Sequence, residues 1–458
     1  MTKKDIDALG EIVGEKNVLT SPEDKICYGY DATRLEFMPE CIVLADSKEQ
    51  ISSILIFANK KGIPVTPRGA ATGLSGGSLP VNGGIVLVMV RMNKVYEVNK
   101  VDLLIDAQAG AITVDIDKKA SKHGLFYPPD PGSLKSSTIG GNIAENAGGL
   151  RGLKYGVTMD YVNSLEVVLP TGEIVNIGKN TVKSVTGYNL LDLMIGSEGT
   201  LGIITKASLN LLPIPDARAS IVASFDTLVD AAKTVRDIVG HGIITSTLEI
   251  TDKVTINAIE DYLGLGLDRG LGAMLFIEVD GHSSEVKDQA KLIKSVCKEN
   301  KAKDTREASS DEEREELWSA RRAALSSLAR VRPSTILEDA TVSRSRIVDF
   351  VDMVGRIAEK YDLKIGTFGH AGDGNLHPTI LTDLRDKKEE EKVEKAIEEL
   401  FFETLKMDGT LSGEHGIGIT KAKFLKDEIG QELFDISKKI KSVFDPNNIL
   451  NPGKMFIE

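Results

Sequence analysis

Four side chains in the C-terminal part of the sequence are of types that bind metal ions or move protons. His370 and His377 are separated by six residues, and Glu414 is followed directly by His415. Two neutral imidazoles and one carboxylate form a ligand set for a borderline divalent ion such as Zn²⁺, Mn²⁺ or Fe²⁺, with positions left open for a substrate. The alternative is three unrelated histidines beside glycine turns. Three further histidines stand alone, which is typical of structural or surface positions: His123, His241 and His282.

The residues around the first two histidines predict a β-hairpin. The apolar run Ile365–Gly369 precedes His370, and Pro378–Leu381 follows His377. The sequence Ala-Gly-Asp-Gly-Asn between them is turn-forming. Two strands joined by this turn would bring both imidazoles to one end of the hairpin.

Three stretches of small residues predict a site for a large phosphorylated cofactor. Backbone N–H groups in such stretches can approach a pyrophosphate closely, and glycine adopts a positive φ without steric cost. A single glycine-rich turn is equally well explained as an ordinary loop, but three in one domain favour a long ligand with two phosphates. The stretches are Pro67–Ser78, Asp130–Ser133 continuing to Thr138–Gly149, and Gly196–Ile203.

A nicotinamide site is disfavoured. Gly264–Gly270 comes nearest to the G-x-G-x-x-G fingerprint, but its last glycine is one residue too far along and no clean strand precedes it. A flexible connection after a helix explains this segment better.

Length, charge and cysteine content exclude several classes of protein. A chain of 458 residues is expected to form two or three domains. Its net charge of −12 argues against nucleic acid or an anionic membrane as the main partner. No apolar run approaches the roughly 18 residues of a membrane span, and the N-terminus has no apolar signal core. The scattered cysteines Cys27, Cys41 and Cys297 do not suit an iron–sulfur cluster and fit a reducing compartment, so cytoplasmic localisation is expected.

The pattern of strands and helices predicts an α+β protein with a change of organisation near Leu212–Asp216. Before this proline-marked segment, short β-type runs alternate with glycine and proline. After it, strands and helices alternate, from strand Ser220–Phe225 and helix Leu228–Val239 onwards, which indicates a second, layered α/β domain. We therefore expect domains at residues 1–214, 215–420 and 421–458.

Several motifs together resemble one known family. The stretches are PRGAATGLSGGS, PPDPGS, TIGGNIAENAGG, KSVTGYNLLDLMIGSEGTLGI and the terminal FDPNNILNPGK. They resemble, in the same order and over nearly the whole chain, the FAD-linked glycolate oxidase and D-lactate dehydrogenase family of the vanillyl-alcohol-oxidase flavoprotein superfamily. The resemblance implies a two-part FAD-binding domain, an α/β cap domain for the substrate, and a short C-terminal segment that returns to the flavin.

The resemblance also implies which residues contact FAD, mainly through their backbones. They are Pro67, Arg68, Gly69, Ala70, Ala71, Thr72, Gly73, Leu74, Ser75, Pro131, Ser133, Thr138, Gly141, Asn142, Ala144, Glu198, Gly199, Ile203 and Asn451. Superfamily members with covalently attached FAD often carry a histidine in the first of these loops. Here that loop has Ala70, Ala71 and Thr72, so we predict non-covalent FAD.

For the second half of the chain the resemblance implies the chemistry of the substrate. The family's H-x6-H and G-E-H-G patterns match His370, His377 and Glu414 as metal ligands and His415 as the base. The segment Trp-Ser-Ala-Arg matches the family's W-x-x-R, which makes Arg321 the predicted ligand of the substrate carboxylate.

Three details of this assignment stay open. Arg322 and a simple helix-surface charge are the alternatives to Arg321. Asn375 is predicted to bond substrate oxygens, with a turn-forming role as the alternative. Ser343 stands where the family often has proline, which leaves the local loop and substrate size selection in doubt.

The predicted reaction is oxidation of a D-2-hydroxy acid to a 2-oxo acid, with hydride passing to flavin N5. D-Lactate is the leading substrate, followed by glycolate and D-2-hydroxyglutarate. The electron acceptor is predicted to be a separate protein, an electron-transferring flavoprotein or an iron–sulfur subunit, with a quinone as the alternative. Two other functions fit the same fold: an ether-lipid-synthase-like transferase, and an electron-transfer subunit with a structural metal. A plain metallohydrolase would leave the three glycine-rich stretches unexplained.

Overall fold

The computed structural model describes residues 1–457, which form two compact units. The first contains Met1–Gly148, Val157–Ile214 and the segment that begins at Glu414. The second contains Gly149–Gly156 and Pro215–Gly413. The chain thus leaves the first unit after Ile214 and returns to it at Glu414. The predicted mixture of helices and sheets is confirmed.

Three sheets form the framework of the first unit. The four-stranded sheet has the order Val18–Leu19, Cys41–Leu44, Ile85–Val88, Val65–Arg68. The five-stranded sheet is antiparallel and has the order Val95–Asn99, Leu104–Gln108, Ile203–Asn210, Val162–Val168, Ile174–Gly178. A two-stranded sheet pairs Leu125–Phe126 with Leu212–Pro213.

The parallel part of the four-stranded sheet shows why its sequence forms strands. Cys41–Leu44 and Ile85–Val88 are uninterrupted apolar runs, pair in parallel and are almost fully buried. Such runs are typical of strands covered on both faces. Helix Lys48–Lys61, which is capped by Ser47, packs its apolar residues into the same core. The loop that follows Val65–Arg68 therefore begins at a well-packed sheet.

Helices complete the first unit. The α-helices are Lys3–Val13, Pro22–Tyr28, Lys48–Lys61, Thr113–Ser121, Ile139–Glu145, Leu190–Met194 and Ala422–Phe444, with a kink at Gly430 in the last. Short 3₁₀ helices span Glu15–Asn17 and Thr158–Tyr161.

The second unit is built on one eight-stranded antiparallel sheet. Seven strands follow the order Asp304–Glu307, Ala217–Phe225, Ala273–Gly281, Thr247–Asp252, Lys364–His370, Asn375–Thr382, Ser334–Leu337, and Ala340–Thr341 also pairs with Asn375–Thr382. Its helices are Gly152–Tyr155, Leu228–Gly240, Lys253–Leu263, Ser283–Glu299, Asp311–Arg322, Ala324–Leu328, Ile347–Tyr361 and Lys387–Lys406, with a 3₁₀ turn at Arg344–Arg346.

The predicted hairpin lies inside this sheet. Lys364–His370 pairs with Asn375–Thr382, and the register sets His370 opposite Asn375 and Phe368 opposite His377. Both histidines are buried, and further strands pair with the hairpin on either side. Within residues 1–457 no helix is long and apolar enough to span a membrane.

Candidate active site

The three glycine-rich stretches meet within the first unit. A β-carbon added to Gly69 would lie 2.2 Å from Thr138 Oγ1, and one added to Gly199 would lie 2.7 Å from Pro67 Cγ. The first stretch therefore touches both of the others through positions that lack a side chain. The backbone N–H of Glu198 also donates to the carbonyl of Ala144 at 2.8 Å, which joins the second stretch to the third.

Asn451 links the C-terminal segment to this group of loops. Its Nδ2 donates to the carbonyls of Gly77 and Glu198 at 2.9 and 2.7 Å. The amide therefore bridges the first and third stretches. Lys454, three residues later, donates to the Gly77 carbonyl at 2.6 Å and to Asn451 Oδ1 at 2.8 Å.

The other predicted flavin residues have different surroundings. Thr138 caps helix Ile139–Glu145 by accepting from the N–H of Gly141. The Arg68 guanidinium donates to the Tyr30 carbonyl at 2.8 Å. Pro131 and Ser133 lie in the turn that precedes Thr138, and Ile203 begins a strand. The structure thus gathers the predicted loops, while each FAD contact remains a prediction.

An ionic group lies beside these loops: Glu198 and Lys454 are buried and Glu145 is partly buried. The sequence analysis named only Glu198 of the three. Glu198 accepts from the backbone N–H groups of Ile417 and Gly418 at 2.7 and 2.6 Å, and Ser75 Oγ donates to Glu145 at 2.9 Å. Burial raises the pKa of Glu145, and the charge of Glu198 raises this pKa further. Burial also raises the pKa of Glu198, against the effect of its two N–H donors.

The third member of this group, Lys454, is also buried, and burial lowers its pKa to about 7. Burial thus raises the pKa of two carboxyl groups and lowers the pKa of one amine at the place where the loops meet. In the sequence, Glu145 and Lys454 are marked only by lying within motifs that were identified by their glycines, AENAGG and NPGK.

The second unit brings together four of the predicted substrate-site residues. The rings of His370 and His377 are 5.2 Å apart between centroids and perpendicular, and a nitrogen of one lies within 4.8 Å of a nitrogen of the other. Such a spacing suits two ligands of one metal ion. The Arg321 guanidinium lies over the Phe368 ring at 4.9 Å, on the strand that carries His370. Asn375 faces His370 across the hairpin.

Two buried carboxylates that the sequence analysis missed lie beside these histidines. Glu249 Oε1 lies 2.6 Å from His370 Nδ1, and Glu249 Oε2 accepts from Arg321 Nε at 2.8 Å. Asp339 Oδ1 lies 3.8 Å from His377 Nδ1. Burial raises the pKa of Glu249, but Arg321 and His370 outweigh it and hold this pKa below its usual value. No local motif marks either carboxylate, since each reaches its histidine from a distant strand or loop.

The hairpin also contains an unsatisfied polar atom that fits a ligand site. Asn375 Oδ1 is buried and accepts no hydrogen bond from the described residues. Leaving such an atom unpaired costs about 1–3 kcal/mol, which a bound ion or substrate would offset. The chemistry of the two imidazoles and this carbonyl oxygen therefore suits a divalent metal with a small oxygen-rich substrate.

Glu414 and His415 are the first residues of the chain after it returns to the first unit. Glu414 packs against Gly148, where an added β-carbon would lie 2.9 Å from its Oε2. His415 Nε2 lies 3.8 Å from Glu414 Oε1. The Glu414 side chain therefore lies at the end of the second glycine-rich stretch, with His415 beside it.

Comparison with known proteins agrees with both halves of this description. Residues 39–178 match the family model described as FAD binding domain, and residues 214–455 match FAD linked oxidases, C-terminal domain. The chain is a member of the FAD-linked oxidase family. The resemblance to the glycolate oxidase and D-lactate dehydrogenase group is thereby confirmed, and FAD is the cofactor of this family's binding domain.

Individual relatives of the family match nearly full length. The chain is 46% identical to the glycolate oxidase subunit GlcD of Bacillus subtilis, over 100% of this chain and 97% of that protein. It is 36% identical to a D-lactate dehydrogenase of Anaerostipes hadrus, over 97% and 95% of the two chains. A D-lactate dehydrogenase of Archaeoglobus fulgidus is also 36% identical, over 98% of each.

Solved structures show the same fold at lower sequence similarity. p-Cresol methylhydroxylase has a TM-score of 0.80 at 18% identity, covering 99% of this chain and 96% of that one. Alkyldihydroxyacetonephosphate synthase has a TM-score of 0.77 at 20% identity, covering 99% and 86%. The predicted flavoprotein fold of the vanillyl-alcohol-oxidase type is confirmed, and these two likenesses show the fold alone.

Proposed function

We propose that this protein is an FAD-dependent dehydrogenase that oxidises a small D-2-hydroxy acid, with D-lactate as the leading substrate. The observation that carries the proposal is the buried pair His370 and His377, linked through Glu249 to Arg321. Two imidazoles and one arginine in a single buried group are what a metal-bound hydroxyl and a carboxylate require. The relatives described as glycolate oxidase and D-lactate dehydrogenase support the same reaction class.

FAD accepts a hydride at N5 when bound, and the chain's part is to hold it in place. The proposed contacts come from residues 67–75, from the Thr138 helix and from Asn451, which meet in one place. Binding is non-covalent in this proposal, because the first loop presents Ala70, Ala71 and Thr72. Release of the flavin on acid precipitation is expected, and flavin retained by the precipitate would contradict this point.

The proposed metal ligands are His370, His377 and Glu414. A divalent ion held by them lowers the pKa of the substrate hydroxyl. Glu414 follows directly after Gly413, and Gly413 packs so tightly on the hairpin that an added β-carbon would lie 2.4 Å from Asn375 Nδ2. Glu414 is thus bonded directly to a residue that packs on the histidine hairpin, which supports its proposed role as the third ligand.

Three further side chains complete the proposed chemistry. His415, next to a ligand in sequence, accepts the hydroxyl proton, since an imidazole titrates near neutral pH. Arg321 binds the substrate carboxylate. Asn375 contacts a substrate oxygen with its buried side-chain amide.

Electrons leave the flavin for a separate acceptor in this proposal, a protein partner rather than an oxygen molecule. The three cysteines are scattered through the sequence, and Cys41 and Cys297 are buried, so they do not suit an iron–sulfur cluster that would accept the electrons within this chain. The B. subtilis relative is a subunit of glycolate oxidase, which supports a protein acceptor, an electron-transferring flavoprotein or an iron–sulfur subunit. Full activity of the lone chain with quinone or oxygen would contradict this part.

Glycolate is the second candidate substrate, favoured by the 46% identity to a glycolate oxidase subunit. D-2-Hydroxyglutarate has a second carboxylate and would need a second cation. Of the two other functions considered, the transferase would release no 2-oxo acid, and the electron-transfer subunit would not be reduced by any hydroxy acid.

Anaerobic reduction of the purified flavoprotein tests the proposal. We expect D-lactate, and not L-lactate, to bleach the flavin band, and chelation to abolish bleaching until Zn²⁺, Mn²⁺ or Fe²⁺ is restored. His377→Gln should lose the response, and the control His282→Gln should keep it because His282 is exposed. A flavin that glycolate alone reduces would change the substrate. A flavin that no 2-hydroxy acid reduces would remove the dehydrogenase proposal.

A further inference from the structure

Glu249 occupies a position that none of the predicted roles explains. It lies on strand Thr247–Asp252, which pairs with Lys364–His370 so that Ile250 faces Gly369. In this antiparallel register Glu249 is the cross-strand neighbour of His370. The Glu249 side chain is fully buried.

Both carboxylate oxygens of Glu249 are engaged by predicted functional side chains. Oε1 lies 2.6 Å from His370 Nδ1. Oε2 accepts from Arg321 Nε at 2.8 Å and also contacts Arg321 Nη2. The histidine comes from a strand and the arginine from helix Asp311–Arg322, so one carboxylate holds two elements in a fixed relation.

The arrangement does more than a buried ion pair needs for stability. Such pairs are often no better for stability than apolar residues of the same size, because desolvation offsets their attraction. What this one fixes is orientation. When His370 donates its Nδ1 proton to Glu249, the ring plane is set and Nε2 is the nitrogen left to bind a metal.

We propose that Glu249 is a positioning residue that orients His370 for metal binding and Arg321 for the substrate carboxylate. The proposal rests on the metal and carboxylate roles proposed above. Because the two contacts share one carboxylate, a change at Glu249 weakens metal and substrate binding together.

Glu249→Gln is the informative variant, because glutamine has the same shape with one acceptor oxygen and one amide donor. It cannot accept from both partners. If its amide donates to His370 Nδ1, the ring takes the other tautomer and Nε2 is blocked. We expect Zn²⁺ affinity to fall 10- to 100-fold, the usual effect of losing such a hydrogen-bond partner of a ligand.

Glu278→Gln is the matched control. Glu278 lies on the neighbouring strand Ala273–Gly281 and accepts from Ser220 Oγ and from Trp318 Nε1, which is on the same helix as Arg321. It contacts neither His370 nor Arg321. We expect its Zn²⁺ affinity to stay within twofold of wild type.

Zn²⁺ affinity is measured on the chelator-treated, FAD-loaded protein by competition with a chromophoric chelator, in the absence of hydroxy acid. The supporting result is weaker Zn²⁺ binding by Glu249→Gln with an unchanged flavin spectrum, accompanied by a raised KM for the hydroxy acid. Equal Zn²⁺ affinity of Glu249→Gln and wild type would overturn the positioning role and leave the proposed function intact. A wild-type protein that binds no Zn²⁺ would overturn the metal role and this inference together.

A measurement on the wild type keeps the inference testable if Glu249→Gln does not fold. The protein has six histidines, so ¹⁵N-histidine labelling with His370→Gln as the assignment control resolves the His370 ring in the metal-free protein. We expect a proton on Nδ1. A neutral ring protonated only on Nε2 would overturn the proposal.

Discussion

Gly69→Ala tests whether the meeting of the glycine-rich loops builds the flavin site. The added methyl group would lie 2.2 Å from Thr138 Oγ1, far inside van der Waals contact, and 3.4 Å from Thr138 Cβ. Gly69 does not have a positive φ, so alanine fits the backbone and the collision is the whole effect. Either the loops separate, or the Thr138 side chain rotates and stops capping helix Ile139–Glu145.

The expected loss of FAD affinity follows from the energetic cost of these two structural responses. Overpacking by one methyl group costs about 1–3 kcal/mol, and loss of a threonine cap costs about 1 kcal/mol. If this strain opposes the FAD-bound arrangement, affinity for FAD falls roughly 5- to 150-fold, at about 1.4 kcal/mol per tenfold change. The assay is titration of the apoprotein with FAD, followed by quenching of flavin fluorescence.

Gly355→Ala is the control, because an added β-carbon there meets nothing within 4 Å and Gly355 lies in helix Ile347–Tyr361, outside the predicted flavin loops. Its FAD affinity should match that of wild type. Thermal unfolding of the apoproteins shows whether the strain already exists without flavin. A Gly69→Ala protein that folds and binds FAD within twofold of wild type would refute the reasoning that the touching loops form the site.

Two further predictions depend on the burial of side chains that ionise, Asp252 and the cysteines. Burial raises the pKa of Asp252 to about 6 in the folded protein, from 3.8. Ionisation of Asp252 therefore lowers the free energy of unfolding as pH rises through this range. Relative to wild type, the free energy of unfolding of Asp252→Asn should rise by roughly 1–1.5 kcal/mol between pH 5 and 7.5, measured by urea unfolding. A pH-independent difference between the two proteins would contradict this. A thiol reagent at neutral pH should label Cys27 in the native protein and all three cysteines after unfolding, because Cys27 is exposed and burial raises the pKa of Cys41 and of Cys297 to about 12. Rapid native labelling of a second thiol would count against the packing described.

Part of the fold could be predicted from short-range pattern. The hairpin at His370 and His377 followed from two apolar runs and a glycine turn, because both partners of a hairpin are adjacent in sequence. Helix Leu228–Gly240 matched its prediction to within one residue, since its apolar period and its Thr227 cap are local signals. Residues Asp311–Leu328 form two helices that meet at Ala323, a boundary that no proline or glycine marks in the sequence.

The first unit was harder to predict at its exposed edges. The edge strand Val95–Asn99 was not predicted, because it is short and no residue in it is fully buried. Its partner Leu104–Gln108 supplies the hydrogen bonds that make it a strand, and the pairing includes a register shift.

The sequence by itself determined the chemistry that is available: glycine-rich stretches for a phosphorylated cofactor, and histidines spaced for a metal. These signals are local, since a turn or a hairpin is specified within about ten residues. Only the tertiary structure decided which groups share a buried space. Glu249 meets His370 across 121 positions, and Asn451 meets the Gly77 carbonyl across 374. Such contacts are set by sheet order and by the need of a buried polar group for a partner, and neither leaves a periodic mark in the chain.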